Sequence, residues 1–539
     1  MKKATTIFTA MLMAATAIAQ TPTLIKDINN GCGNHRVSNY FAPLKDGRVF
    51  FPLCANSTDA YAYATDGTAA GTTQINVPDL ELNEGIVNEQ FQVYDPTSGK
   101  VFFSGRGTSF TDPDIELWTT DGTVAGTARV EDIEPGLQSS IPEYLTLYNK
   151  KVFFTCRGSL GLWSSDGTAA GTVEIKTLPF TAQSLRVFNG KLYFLVNSPT
   201  SFGYKTVWES DGTTAGTKQI YSSSGDVSDY NITPSGLYIF EYTGNKNLIK
   251  RFDFTTKTAT TVYDGAKGYA TPMVSVKGKD YFIASDNFIQ TLYVTDGKAS
   301  GTKEIITIKA SDGVYPYGPI IIAAESYLVF SARDLTNGTE LWISDGTTVG
   351  TKPIDLYKGK DGSSPGDFCK VGNSIYFSAS ATDATGKELG RELFQTDGTV
   401  AGTKLTADIF PGANSSTPER LQLVTLGGKP NLIFFAASDK GAGPFKIEVK
   451  IISDTKDNTL NINTLGIYPN PATQEINIRS TSQENIDITL FDINGRQIKQ
   501  LNNSPTNSSI DISTLPKGVY LLKAQYKNGQ QQLSKFVKN

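Results

Sequence analysis

One heptapeptide pattern, Asp-Gly-x3-Gly-Thr, recurs seven times in this chain, starting at Asp66, Asp121, Asp166, Asp211, Asp296, Asp345 and Asp397. Ser or Thr precedes each Asp, and an aromatic stands three residues before it: Tyr63, Trp118, Trp163, Trp208, Tyr293, Trp342 and Phe394. All four tryptophans fall in this register. Spacings of 55, 45, 45, 85, 49 and 52 residues leave room for one degenerate copy in the long gap, and Leu248–Asp253 with Thr258–Tyr263 has the strand pattern without the Gly-Thr. Repeats of this length signal solenoids, propellers or arrays.

Asp followed by Gly suits a tight turn, because the carboxylate accepts a backbone N–H just downstream while Gly takes positive φ without strain. Alternating segments flank the motif, so it reads as the loop of a β-hairpin. A second hairpin precedes it in each repeat, turning at Asn149-Lys150, Asn189-Gly190 or Asp46-Gly47. Two hairpins per period make a four-stranded antiparallel sheet, the unit of a propeller blade, with the aromatic packing between neighbouring blades. Period-2 alternation excludes a helical solenoid and leaves an array of β-sandwiches as the rival.

The apolar second strand recurs nine times, near Phe50, Phe102, Phe153, Tyr193, Ile239, Phe282, Val329, Tyr376 and Phe434. The last copy lacks its final strand, and Leu24-Ile25-Lys26-Asp27-Ile28 matches what is missing. The reading is therefore all-β: a closed propeller of eight or nine four-stranded blades over residues 21–452, its termini joined in one blade so that no sheet edge is left exposed.

The two ends carry different signals. Lys2, Lys3, the apolar run Ile7–Ile18 and Ala17-Ile18-Ala19 read as a secretory signal peptide over 1–19, with Gln20 as the first mature residue. The apolar run is shorter than the roughly 18 to 20 residues a spanning helix needs, and no later run reaches that length. Ser453–Thr464 reads as a polar linker. Residues 465–539 alternate as a small Ig-like β-sandwich, with hairpin turns expected at Asn494-Gly495, Pro516-Lys517-Gly518 and Asn528-Gly529.

Two resemblances add to this reading. The repeats, such as Glu116-Leu117-Trp118 followed by Asp121-Gly122-Thr123, resemble the ELWxxDGT (hyalin-like) repeats of large secreted bacterial surface proteins, which implies a surface-associated domain and no agreed activity. Tyr468-Pro469-Asn470-Pro471-Ala472-Thr473, Leu490-Phe491-Asp492-Ile493-Asn494-Gly495-Arg496, Leu515-Pro516-Lys517-Gly518-Val519-Tyr520 and the terminal Lys535-Phe536-Val537-Lys538 are similar to the type A C-terminal sorting domain of the type IX secretion system. That similarity implies passage through the outer membrane, the secretion machinery as partner, and a secreted or cell-surface location.

Chemistry is harder to find. His35, beside Cys32, is the only histidine and reads as a surface loop residue, so multi-His metal sites cannot be built within the chain and no Ser-His-Asp or Cys-His site is assigned. A net charge of -4 argues against a nucleic-acid partner. Cys32 and Cys54 can bridge a loop to a strand end, whereas Cys156 and Cys369 read as buried free thiols, and four cysteines are too few to hold this fold. No cofactor is expected. Thr111-Asp112-Pro113-Asp114 and Thr382-Asp383-Ala384-Thr385-Gly386 offer oxygens of the kind calcium takes, yet neither matches a known loop pattern and both read as solvated loops. The recurring aspartates read as turn formers, because an active-site acid should be unique. No catalytic, cofactor-binding or metal residue is assigned. The expectation is a non-enzymatic adhesive or structural module that binds a glycan or protein through its blade loops. The alternative is a carboxylate-based glycan hydrolase or lyase on the same scaffold.

Overall fold

Successive apolar residues in the second strand of each repeat need cover on both faces, and stacked sheets supply it. In Lys151–Cys156, five consecutive residues from Val152 to Cys156 are buried, and Lys191–Asn197 repeats the pattern from Leu192 to Val196. The computed structural model describes residues 21–539 except 29–40, 55–58, 78–79, 84–91, 108–113, 137, 198–204, 224, 245, 266–268, 287, 311–319, 451–464, 469–471, 481–484, 493–495, 506–507 and 527–530. The chain divides into two compact units, Met1–Ile452 and Ser453–Asn539.

In the first unit the described strands form nine blades. The third is typical: Pro142–Tyr148, Lys151–Cys156, Gly161–Ser165 and Val173–Thr177 pair antiparallel in sequence order. Asn149 and Lys150 both take positive φ, 49° and 63°, as a two-residue turn of this hand requires. The degenerate repeat is the fifth blade, Asp226–Thr233, Gly236–Tyr242, Asn247–Asp253 and Thr258–Gly265. One departure concerns the first two blades, which merge into one hydrogen-bonded sheet. The fourth strand of the first blade, Thr73–Gln74, covers only part of the third strand, Asp59–Thr65. Connector strand Leu80–Asn83 takes up the uncovered end, pairing Ala60 with Leu82, and pairs onward through Leu80 with Gly107 of the second blade.

Nine apolar clusters alternate with the nine blades, each joining one blade to the next. An open row would have eight. The ninth, which closes the ring, packs Ile433, Phe435 and Val424 of the last blade against Phe41, Phe51 and Tyr63 of the first. The last sheet, Glu419–Leu426, Lys429–Ser438 and Gly441–Glu448, receives Thr23–Leu24 as its fourth strand, with Thr23 opposite Lys446 and Leu24 opposite Phe445. The pairing continues where Ile25 N donates to Pro444 O at 2.9 Å and Ile28 N to Ala442 O at 2.9 Å. The first strands of neighbouring blades touch: Gln422 Nε2 donates to Phe41 O at 2.7 Å, and Phe41 N donates to Gln422 Oε1 at 2.8 Å. Fourth strands such as Val173–Thr177 are largely exposed, so the first strands lie toward the axis and the fourth outside.

The second unit is a sandwich of two sheets. One has the order Leu465–Tyr468, Glu475–Ser480, Ser509–Asp511; the other has Gln497–Ser504, Ile486–Asp492, Gly518–Gln525, Gln531–Lys538. Their inner faces share a core of Ile476, Ile488, Leu490, Ile510, Leu522 and Phe536. Pro516-Lys517-Gly518 is not a hairpin turn: it leads from Ser509–Asp511 in one sheet to Gly518–Gln525 in the other, because alternating residues of both segments must face one core. Asn494-Gly495, Asn528-Gly529, the linker 453–464 and the signal peptide lie outside the described residues.

Closure leaves no room beside the N-terminal strand. A Cβ on Gly443 would stand 2.3 Å from the backbone O of Lys26. Gly443→Ala is therefore expected to cost about 1–3 kcal/mol of stability as an overpacked contact, measured by thermal or denaturant unfolding of the mature protein. Gly366→Ala, where φ is ordinary and the nearest atom is Arg391 Nη2 at 3.4 Å, separates steric loss from loss of glycine alone.

Candidate functional site

The repeated turns are the most constrained local structures in the ring. Around Asp166, Thr168 N and Thr168 Oγ1 both donate to Asp166 Oδ1, at 3.0 and 2.7 Å. Gly171 N donates to Thr168 Oγ1 at 3.0 Å, and Thr172 Oγ1 donates to Thr168 O at 2.8 Å. That leaves the Ser165 hydroxyl to donate to Thr172 Oγ1 at 2.8 Å while accepting from Gly167 N at 2.9 Å. The hydrogen bond from Thr168 holds the Asp166 carboxyl below the usual carboxylate range. A Cβ on Gly171 would lie 2.0 Å from the Asp166 carboxylate, so only Gly closes the loop.

Each turn also grips the preceding blade. Gly167, at φ 90°, sits where a Cβ would meet Phe102 at 3.1 Å, and Gly212 meets Phe153 in the same way. The aromatics three residues before the Asp point to the same neighbour: Trp118 packs with Phe50 and Ala64 of the first blade, and Trp342 with Tyr281 and Ile283 of the sixth. These aspartates are engaged inside their own loops, which accords with turn formation.

The opposite face carries the loops that join strands two and three and the connectors between blades. Here lies a set of buried carboxylates that the sequence reading missed. Glu116 accepts from Ile133 N at 3.1 Å, Ser140 N at 3.0 Å and Ser140 Oγ at 2.7 Å. Glu392 accepts from Ile409 N, Ser416 N and Ser416 Oγ at 2.8, 3.0 and 2.6 Å. Glu340 accepts from Leu356 N, Tyr357 N, Ser363 N and the Ser363 hydroxyl. Each fastens the connector leaving its blade. Burial pushes Glu116 and Glu340 up to about 7 against the pull of these donors, and raises Glu392 as well.

Charged groups also gather on the inner strands. Glu143 pairs with Arg157, and burial raises its carboxyl. Arg420 N donates to Asp367 Oδ1 at 3.1 Å. Burial raises the neighbouring Glu419 and lowers Arg391 and Arg420. On the same face two clefts of 260 and 360 Å³ lie at the fifth blade and share Asn247 and, from the sixth, Ala270.

Of the loops considered for calcium, 111–113 lie outside the described residues. Asp114 has a carboxylate oxygen within 4.8 Å of oxygens from Glu116 and Asp132. The Arg129 guanidinium lies 3.3 Å from Asp114 and 4.0 Å from Asp132, supplying positive charge there. Asp383 Oδ1 accepts from Thr385 N, Thr385 Oγ1 and Lys387 N at 2.8, 2.6 and 3.0 Å, an Asx-type turn. Cys156 and Cys369 are free thiols, the first buried and the second half-buried. Cys32 and His35 lie outside the described residues, and Cys54 ends the strand Val49–Cys54.

In the second unit the chain's end is pinned to its beginning: Ala472 N donates to Val537 O at 2.8 Å, and Asn539 N donates to Ala472 O at 2.9 Å. Tyr520 stacks on Phe536 at 5.5 Å and its hydroxyl donates to Pro516 O at 2.8 Å, so the quoted motifs meet in one corner. Residues 466–539 match the secretion system C-terminal sorting domain family. This unit is a sorting domain. It marks the protein for type IX secretion to the cell surface or the extracellular space. Among the described residues no helix is long and apolar enough to cross a membrane.

No curated protein sequence matches the chain. Among solved structures it is similar to the computationally designed Ika8 protein (TM-score 0.37, 12% identity, 65% of this chain and 93% of that one). Another is the β-propeller domain of the Trilobed protease from Pyrococcus furiosus (TM-score 0.31, 12% identity, 65% and 98%). A third is puromycin hydrolase (TM-score 0.33, 9% identity, 63% of this chain and 57% of that one), so the chain spans just over half of the hydrolase. The propeller assignment itself stands on the sheet order and the nine inter-blade cores.

The raised carboxyls fix a sign for pH dependence. A glutamate near 7 in the fold and 4.5 when unfolded binds more protons folded, so its contribution to stability is present below 4.5 and lost as pH rises through 7. The unfolding midpoint of Glu116→Gln/Glu340→Gln relative to wild type should therefore rise between pH 5 and pH 8. A relative midpoint that falls over this window would contradict the assignment.

Proposed function

We propose that the mature protein is an extracellular binding module, adhesive or structural, that engages a glycan or a protein through the connector face of its propeller. The observation that carries this is the asymmetry between the two faces. One face repeats nearly the same self-satisfied turn in seven blades, Lys298 replacing the bonding Thr in the sixth; the other carries loops between strands two and three that differ in length from blade to blade, and both clefts open there. Loops on a rigid scaffold are where recognition concentrates. The likeness of the repeats to ELWxxDGT surface proteins points the same way, and export by the sorting domain puts the module where such ligands are.

Binding is favoured over catalysis by how the acids are engaged. Glu116, Glu340 and Glu392 accept backbone N–H groups, Glu143 pairs with Arg157, and Glu241 pairs with Lys250 at 2.6 Å. A carboxylate-pair glycosidase needs two acids about 5 to 10 Å apart across a cleft with the proton free to move.

An array of glycans and matrix proteins, probed with the mature chain beside a turnover assay on the same sugars, should show saturable binding without product release. Product formation abolished by Glu143→Gln or Glu419→Gln would replace this reading with the hydrolase or lyase.

A further inference from the structure

The repeat motif lapses at the junction of the fifth and sixth blades. In four repeats the register three residues before the Asp holds Trp, whose indole extends toward the connector face: Trp208 Nε1 donates to Thr206 Oγ1 at 2.9 Å, and a Cβ on Gly161 would meet Trp163 Nε1 at 2.7 Å. In the sixth blade this position is Tyr293, and five residues before the Asp stands Thr291, as Thr206 does in the fourth, where Glu116, Glu340 and Glu392 stand in the second, seventh and eighth. The smaller ring leaves the connector end of the interface unfilled, and the 260 Å³ cleft occupies it, lined by Tyr263, Tyr293, Ser285 and Thr291. The 360 Å³ cleft continues beside it past Asn247, lined by Tyr242, Ser228 and Asp226.

We propose that these adjoining clefts form a saccharide-binding site. The proposal rests on the binding-module reading and names its ligand class. Each cleft is lined by a residue with a buried oxygen that has no hydrogen-bond partner in the chain, Ser285 Oγ, on a residue 5% exposed, and Asp226 Oδ1. An unpaired buried polar atom is costly, and a hydroxyl-bearing ligand that reaches it relieves that cost. Aromatic surface is present beside the oxygens: Tyr242 is 37% exposed, with its own hydroxyl donating to Gly244 O at 2.8 Å, so its ring face is available to the C–H face of a sugar. Tyr263 and Tyr293 meet edge to face at 5.0 Å and form the wall of the other cleft.

Charge separates a sugar from a metal ion. Asp264 pairs with Lys246 at 2.9 Å and Glu241 with Lys250 at 2.6 Å, so two of the acids around the clefts are already neutralised. Asp226 and Asp286 are the further acids of the lining; a lining that mixes apolar surface with carboxylate, amide and hydroxyl acceptors suits a ligand rich in hydroxyls, and the volume of the larger cleft is in the range of small-molecule sites.

The test uses the full mature chain. Binding of methyl β-glucoside, methyl β-galactoside, methyl α-mannoside, N-acetylglucosamine and cellobiose is followed by saturation-transfer NMR and calorimetry, with calcium chloride titrated in parallel. At least one sugar should bind, with affinity reduced tenfold or more in Tyr242→Ala and in Asp226→Ala, while both variants keep the wild-type circular dichroism. Ser285→Ala, a smaller change at the same cleft, should weaken the same sugar if either rim variant fails to fold. Failure of all five probes, binding insensitive to the substitutions, or calcium binding lost in Asp226→Ala without any sugar binding overturns the proposal. If a sugar binds but ignores the substitutions, the binding-module reading stands and only this site falls; if neither sugars nor array proteins bind, both fall.

Discussion

Everything in the propeller depends on how each blade is held against the one before it. A four-stranded sheet with apolar residues on both faces is not stable alone; it needs a neighbour on either side. The repeated turn meets that need with one local device. Its hydrogen bonds fix the loop, its first glycine lets the backbone rest on the preceding hairpin, and its aromatic fills the interface below. Satisfied in one blade, the constraint passes to the next, so the ring must close or leave an apolar face in water. The N-terminal strand completing the ninth sheet is the consequence.

The same economy separates architecture from recognition. The turn face is uniform because its geometry admits few residues: Gly171 has no space for a Cβ, and the Ser165 and Thr172 hydroxyls complete each other. The connector face is held from beneath by Glu116, Glu340 and Glu392, so the loops above them are free to differ. Where the repeat lapses, in the fifth blade and at Tyr293, space opens. Export by the sorting domain then delivers this variable face to the outside of the cell.

How much of this was legible follows from the range of each interaction. The turn could be read because its partners lie within seven residues, and ring closure because Leu24–Ile28 copies the strand missing at the other end. The buried glutamates escaped because their partners lie 16 to 24 residues downstream and are mostly backbone N–H groups. Their signal was present in retrospect: Ser139-Ser140-Ile141-Pro142 follows the second blade as Ser415-Ser416-Thr417-Pro418 follows the eighth. The Pro516-Lys517-Gly518 segment was misread as a hairpin because the same residues that end a strand also begin a crossing between sheets. The clefts depend on what a side chain fails to fill, which no motif records.

Closure by the chain's first strand is most directly tested by a cross-link. Thr23 and Lys446 face each other across the last sheet, and opposed residues of antiparallel strands lie about 4.5 to 5.5 Å apart at Cα, within disulfide reach. Mild oxidation of Thr23→Cys/Lys446→Cys should give an intramolecular disulfide, identified by peptide mass spectrometry, and a higher unfolding midpoint that reverts on reduction. A bond formed only between molecules, or none at all in a folded protein, would contradict a ring closed in this way.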